Sequence, residues 1–67
     1  MIDISVNGEV RAIPPGQTVA ALLGSLGLDM RKVAVERNEA IVVRSLYGAT
    51  PLGAGDQIEI VHFIGGG

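Results

Sequence analysis

Only one stretch of this chain has the helical period, and the segments around it have the period of strands. Val19, Leu22, Leu23 and Leu26 recur at i, i+3, i+4 and i+7, which puts four apolar side chains on one stripe of a helix. Thr18 before them is a good N-cap, since its hydroxyl can accept from an unpaired backbone N–H of the first turn. Gly27 suits the left-handed position just past the end, with Leu28 able to pack back after it. Gly24 lies inside the last turns and costs about 1 kcal/mol relative to alanine. A helix this short needs a sheet to lie on.

The sheet is read from period-two alternation. Ile2-Asp3-Ile4-Ser5-Val6 is a strand with one buried face, and Asn7-Gly8 after it is a strong hairpin signal. A strict two-residue loop would pair Ile4 with Arg11 and Val6 with Glu9, putting charges on the buried face. A three-residue or bulged loop, pairing Val6 with Val10 and Ile4 with Ala12, is therefore expected. Pro14-Pro15-Gly16 ends the second strand, because neither proline can donate to a ladder. Past the polar connection Asp29-Met30-Arg31-Lys32, short strands are expected at Val33–Glu36 and Ile41–Arg44 around a turn at Asn38-Glu39. Residues 45–52 have no clear period. Gly53-Ala54-Gly55-Asp56 is a turn that launches a last strand over 57–64, with Ile58, Ile60, His62 and Ile64 on one face. The order strand, strand, helix, strand, strand, strand makes an α+β chain whose mixed sheet is covered on one face by a single main helix. This is the β-grasp, or ubiquitin-like, arrangement. The helix connection has to cross back over the sheet, so the last strand is expected beside the first.

Size and composition narrow the chemistry. With 67 residues there is room for one small domain, over residues 1–64, and a flexible tail at 65–67. The chain has no cysteine, which removes disulfides, thiol nucleophiles and thiolate metal sites. A hydrophobic share of 48% and a mean hydropathy of +0.44 fit a folded globule rather than a disordered chain. The net charge of −2, without a basic run and with only Tyr47 and Phe63 as aromatics, argues against a nucleic-acid partner. No apolar stretch has the 18 or so residues of a membrane span, and Met1-Ile2-Asp3 lacks a basic leader region; a cytoplasmic protein is expected.

Gly65-Gly66-Gly67 is the feature the fold does not need. Three glycines add no packing and lose the most backbone freedom on ordering. At average glycine usage such a run falls at a fixed place about 0.03% of the time, which favours function over accident. Such a tail reaches about 10 Å and, lacking Cβ atoms, can thread a channel too narrow for side chains. It would deliver a carboxylate, ionised at neutral pH and a poor electrophile until activated. Adenylation by ATP turns it into a mixed anhydride that sulfur or nitrogen can attack.

The segments Asn7-Gly8-Glu9, Thr18-Val19-Ala20-Ala21-Leu22-Leu23, Val33-Ala34-Val35-Glu36-Arg37-Asn38, Gly55-Asp56-Gln57-Ile58-Glu59-Ile60-Val61 and His62-Phe63-Ile64-Gly65-Gly66-Gly67 together resemble the ThiS family of thiamine-biosynthesis sulfur carriers. The resemblance spans the whole chain. One departure is Val43, where many relatives have proline. The resemblance implies a carrier that is not an enzyme and has no catalytic residue of its own. Its Gly67 carboxylate is adenylated by a ThiF-type adenylyltransferase using ATP and magnesium, and is converted to a thiocarboxylate by a persulfide sulfur donor. Sulfur then passes to the thiazole synthase ThiG. Gly65 and Gly66 would thread the partner active sites, and no cofactor or metal would be bound by the carrier itself. With no cysteine, the C-terminus is the one plausible covalent site for sulfur. Sulfur delivery to molybdopterin or another pathway, a ubiquitin-like modifier, and a plain interaction domain remain alternatives.

The other candidate residues are read with less specificity. Val61 and Phe63 would form an exposed apolar stripe, and with Ile64 they are candidates for docking the activating enzyme and the synthase. Ordinary strand-edge exposure explains them equally well. His62 is the lone histidine and has no partner residues at motif spacing, so a strand position is expected rather than a general base. Asp56 should shape the turn before the last strand. Glu36, Arg37, Glu39 and Arg44 read as a solvated face.

Overall fold

The computed structural model describes residues 1–63. Five strands form one mixed sheet: β1 (Ile2–Val6), β2 (Glu9–Ile13), β3 (Val33–Arg37), β4 (Ala40–Val42) and β5 (Gln57–His62), in the order β2-β1-β5-β3-β4. β5 lies parallel to β1 and antiparallel to β3 at the centre, as the crossover argument requires. Helix α1 (Val19–Ser25) covers one face. Its buried Val19, Leu22 and Leu23 join Ile4, Ile13, Val33, Val35, Tyr47, Leu52 and Ile58 in the core. Among the described residues no helix is long and apolar enough to cross a membrane.

Both ends of α1 are held as their residues dictate. The Ala21 N–H donates to Thr18 Oγ1 at 3.1 Å. At the other end Gly27 has φ +72°, its N–H reaches the Gly24 carbonyl at 3.1 Å, and the Leu28 N–H reaches the Leu23 carbonyl at 2.9 Å. These two bonds make a Schellman cap. A Cβ on Gly27 would meet no atom within 4 Å, so the cost of a side chain there is purely conformational. Gly27→Ala is expected to lower the unfolding free energy by about 1 kcal/mol, read as a shifted urea midpoint at unchanged m-value. An unshifted midpoint would mean that the left-handed backbone at this position costs a side chain nothing.

Two expectations are corrected. The first hairpin has a strict two-residue loop, with Ile4 opposite Arg11 and Val6 opposite Glu9. Asn7 and Gly8 both have positive φ, +50° and +84°, the geometry of a type I′ turn. The charges are harmless because β2 is the outer strand of its side of the sheet, and of its residues only Ile13 is buried. Second, β4 stops at Val42, and Arg44 opens a 3₁₀ helix (Arg44–Ala49). Val43 between them has φ −69°, the value proline imposes, so valine adopts there the backbone that proline would fix. The stretch without a period, mostly exposed, gives the core two residues, Tyr47 and Leu52, which are 2% and 3% exposed.

Candidate functional site

The site is assembled around β5, whose end leads into the tail. Gly65, Gly66, Gly67 and Ile64 lie outside the described residues. Phe63 is the last described one, and its N–H still donates to the Lys32 carbonyl at 2.9 Å. Ile58 and Ile60 face the helix side, Ile58 fully buried. By the period of the strand, Val61 and Phe63 face the uncovered side. They are 57% and 46% exposed, which confirms the expected apolar stripe. Ala34 lies directly across from Val61, and Ile41 and Val10 are also exposed on this side of the sheet. His62 is an exposed strand residue opposite Val33. Among the described residues no group of three or more potential metal ligands comes together.

Two asparagines brace β5 from opposite edges. Each opens a two-residue turn with a left-handed φ, +50° at Asn7 and +52° at Asn38. On one edge the Asn7 N–H donates to the Ile58 carbonyl at 2.8 Å. The Asn7 side chain accepts from the Ile60 N–H at 2.7 Å and donates to the Ile60 carbonyl at 3.2 Å. On the other edge the Asn38 N–H donates to the Gln57 carbonyl at 2.8 Å, and the Gln57 N–H donates to Asn38 Oδ1 at 2.9 Å. Both asparagines were legible as turn residues. Their grip on a strand far away in the chain was not, because nothing within the turn itself signals it.

Asp56 sets the start of β5. Its Oδ2 accepts from the Gly53 N–H and from Arg37 Nε, both at 2.8 Å, and its Oδ1 accepts from Asn38 Nδ2 at 3.0 Å. Burial by itself raises its pKa; the bonds from Gly53, Arg37 and Asn38 outweigh this and hold the carboxyl below its ordinary value. Asp56 therefore shapes the turn as expected, whereas Arg37 leaves the solvated face to meet it. Glu36 and Glu59 sit opposite each other on the uncovered face.

These features make a central strand braced on both edges and at its start, beside an exposed apolar strip and leading in sequence to a glycine run. The ThiS family model matches residues 4–67, from the first strand through the glycines. The chain belongs to the ThiS family. Within curated proteins it is 46% identical over 50 residues to the sulfur carrier protein ThiS of Bacillus subtilis, covering 75% of this chain and 76% of that protein. It is 56% identical over 62 residues to a thiazole synthase of Paramagnetospirillum magneticum, covering 92% of this chain. A thiazole synthase of Magnetococcus marinus is 55% identical over 64 residues. The chain spans about a fifth of the length of these two synthases, 19% and 20%. The crystal structure of the thiamine biosynthesis protein ThiS from Geobacter metallireducens superposes with a TM-score of 0.85 at 30% identity, covering 98% of this chain and all of that one. The ThiS β-grasp architecture is thus shared along the described length.

Proposed function

We propose that the chain carries sulfur for the thiazole of thiamine on the carboxyl carbon of Gly67. The observation that supports this most is the family match running through Gly67 in a chain without cysteine. A carrier of this kind acts as co-substrate, and its chemistry is that of a carboxyl group. A Gly67 carboxylate oxygen attacks the α-phosphorus of ATP on a ThiF-type enzyme, and pyrophosphate leaves. The acyl-adenylate is then attacked at its carbonyl carbon by the terminal sulfur of a persulfide, and AMP leaves. A thiol reduces the resulting sulfur–sulfur bond and frees the thiocarboxylate. On thiazole synthase the sulfur passes to the acceptor, and an oxygen atom from that acceptor or from water bonds to the acyl carbon as the carbon–sulfur bond breaks, restoring the carboxylate. Magnesium and the charge stabilisation of the adenylation step belong to the activating enzyme.

The described residues supply presentation. Val61 and Phe63, exposed beside the root of the tail, are the docking strip for the activating enzyme and the synthase, with Ile64 continuing it. Gly65 and Gly66 thread the partner channel, where a Cβ would obstruct the approach. The likeness to proteins named thiazole synthase supports ThiG as the receiving partner.

Intact-mass measurement on the chain isolated from its own host tests the reading. A replacement of one oxygen by sulfur at Gly67 is expected, with loss of the gene making growth depend on added thiazole or thiamine. Isopeptide adducts to lysine would instead establish a protein modifier, and a thiocarboxylate without thiazole dependence would assign the carrier to another sulfur pathway.

A further inference from the structure

β1 runs out before β5 does. Ladder pairing between these strands ends at Val6 opposite Ile58, and the chain then turns away through Asn7 and Gly8. β5 continues to His62. Beyond Ile58, no described strand lies on that side of it. The exposed edge would start to fray in the segment that leads to the tail. At this position the Asn7 side chain takes over. A primary amide presents a carbonyl oxygen and an N–H₂ group on one edge, as a peptide does, and Asn7 uses both on Ile60, at 2.7 and 3.2 Å. The residues are 53 apart in sequence. With its own N–H on Ile58, Asn7 acts as one further strand residue, made from a side chain.

We propose that Asn7 is a positioning residue for sulfur transfer: its amide keeps β5 in strand geometry past the end of β1 and so fixes, for the activating enzyme, the strand from which the chain continues to Gly67. The inference rests on the carrier reading above. On the opposite edge β5 is held by β3 as far as Val33 opposite His62, and by Lys32 at Phe63. Asn7 closes the edge that β3 cannot reach. An activating enzyme that met a frayed β5 would have to order those residues itself before the Gly67 carboxylate could approach ATP, and each ordered residue costs it binding free energy.

Asn7→Gly tests this, because glycine accepts the positive φ of the turn and keeps the backbone bond to Ile58, so that only the amide is lost. Amide hydrogen exchange at Ile60 is expected to speed up more than at the core residues Leu22 and Val35. Acyl-adenylate formation, followed with ATP and the purified activating enzyme, should lose about tenfold in kcat/KM, as two side-chain hydrogen bonds warrant. Asn7→Asp keeps an acceptor for the Ile60 N–H but sets a carboxylate against the Ile60 carbonyl, and should fall between the two. The proposal is overturned if Ile60 exchange rises only in step with the core, or if adenylation by the folded glycine variant matches the parent chain. If the parent chain itself is not adenylated, the carrier reading fails and the positioning role with it, while exchange at Ile60 still reports whether the brace exists.

Discussion

A chain shortened to end at Gly65 is expected to form no detectable acyl-adenylate while unfolding at the same urea concentration as the full chain. Two extended residues span about 7 Å, so the shortened carboxylate would stop that far from the nucleotide. A misplacement of about 1 Å already costs on the order of a hundredfold in reactions that depend on alignment. Stability should be untouched, because the buried core runs from Ile4 to Ile58 and the two glycines bring no side chain to it. Pyrophosphate release in the presence of ATP and the activating enzyme, beside a denaturant titration, measures both halves. Adenylation of the shortened chain at the parent rate would sink the assignment of Gly67 as the reacting residue.

Replacing Asp56 with alanine should have the largest effect on the fold, a loss of about 2–4 kcal/mol. Asp56 is 8% exposed, and its carboxylate receives Gly53, Arg37 and Asn38 together. Most of the loss comes from removing a buried carboxylate that gathers three donors and from the half-buried Gly53 N–H left without its acceptor, since the exposed Asn38 amide can turn to water. The ion pair adds little, because Arg37 keeps 37% of its side chain in solvent and is screened there. Since the folded pKa lies below the ordinary 3.8, the unfolded chain takes up the proton first as pH falls. The contribution of Asp56 is therefore whole above that ordinary value and is lost as pH drops through the folded one. Urea titrations from pH 7 down to pH 3 should show the parent chain keeping this contribution until the pH nears the ordinary 3.8 and losing it below, with the alanine variant changing less there. Equal stability of the two at pH 7 would remove Asp56 as the anchor of β5.

Asp29 also titrates low, at about 2, drawn down chiefly by its bond to the Arg31 side chain. That pair sits on the surface, with Arg31 78% exposed, and ordinary salt should screen it. It therefore does not compete with Asp56 as a source of acid sensitivity.

What the residues determined locally was legible because it depends on neighbours a few positions apart. The stripe from Val19 to Leu26, the Thr18 cap, the Gly27 exit, the alternation in β1 and β5 and the proline stop after β2 are all short-range. The run of three adjacent glycines and the absence of a thiol are likewise facts of the sequence alone. Tertiary structure decided the rest. Arg11 and Glu9 could take the helix-facing register because β2 is an edge strand, a fact about strand order. Tyr47 and Leu52 became core because the irregular segment packs against the helix; the Leu52 N–H reaches the Gln17 carbonyl at 2.8 Å and the Val19 N–H reaches the Thr50 carbonyl at 3.0 Å. Asn7 met Ile60 because the parallel pairing of the first and last strands brings the two ends of the chain together, and Asp56 met Arg37 because the antiparallel pairing of β3 with β5 sets the end of one beside the start of the other. No local period encodes such contacts. They exist only once the sheet has its order, and they hold the last strand on both of its edges.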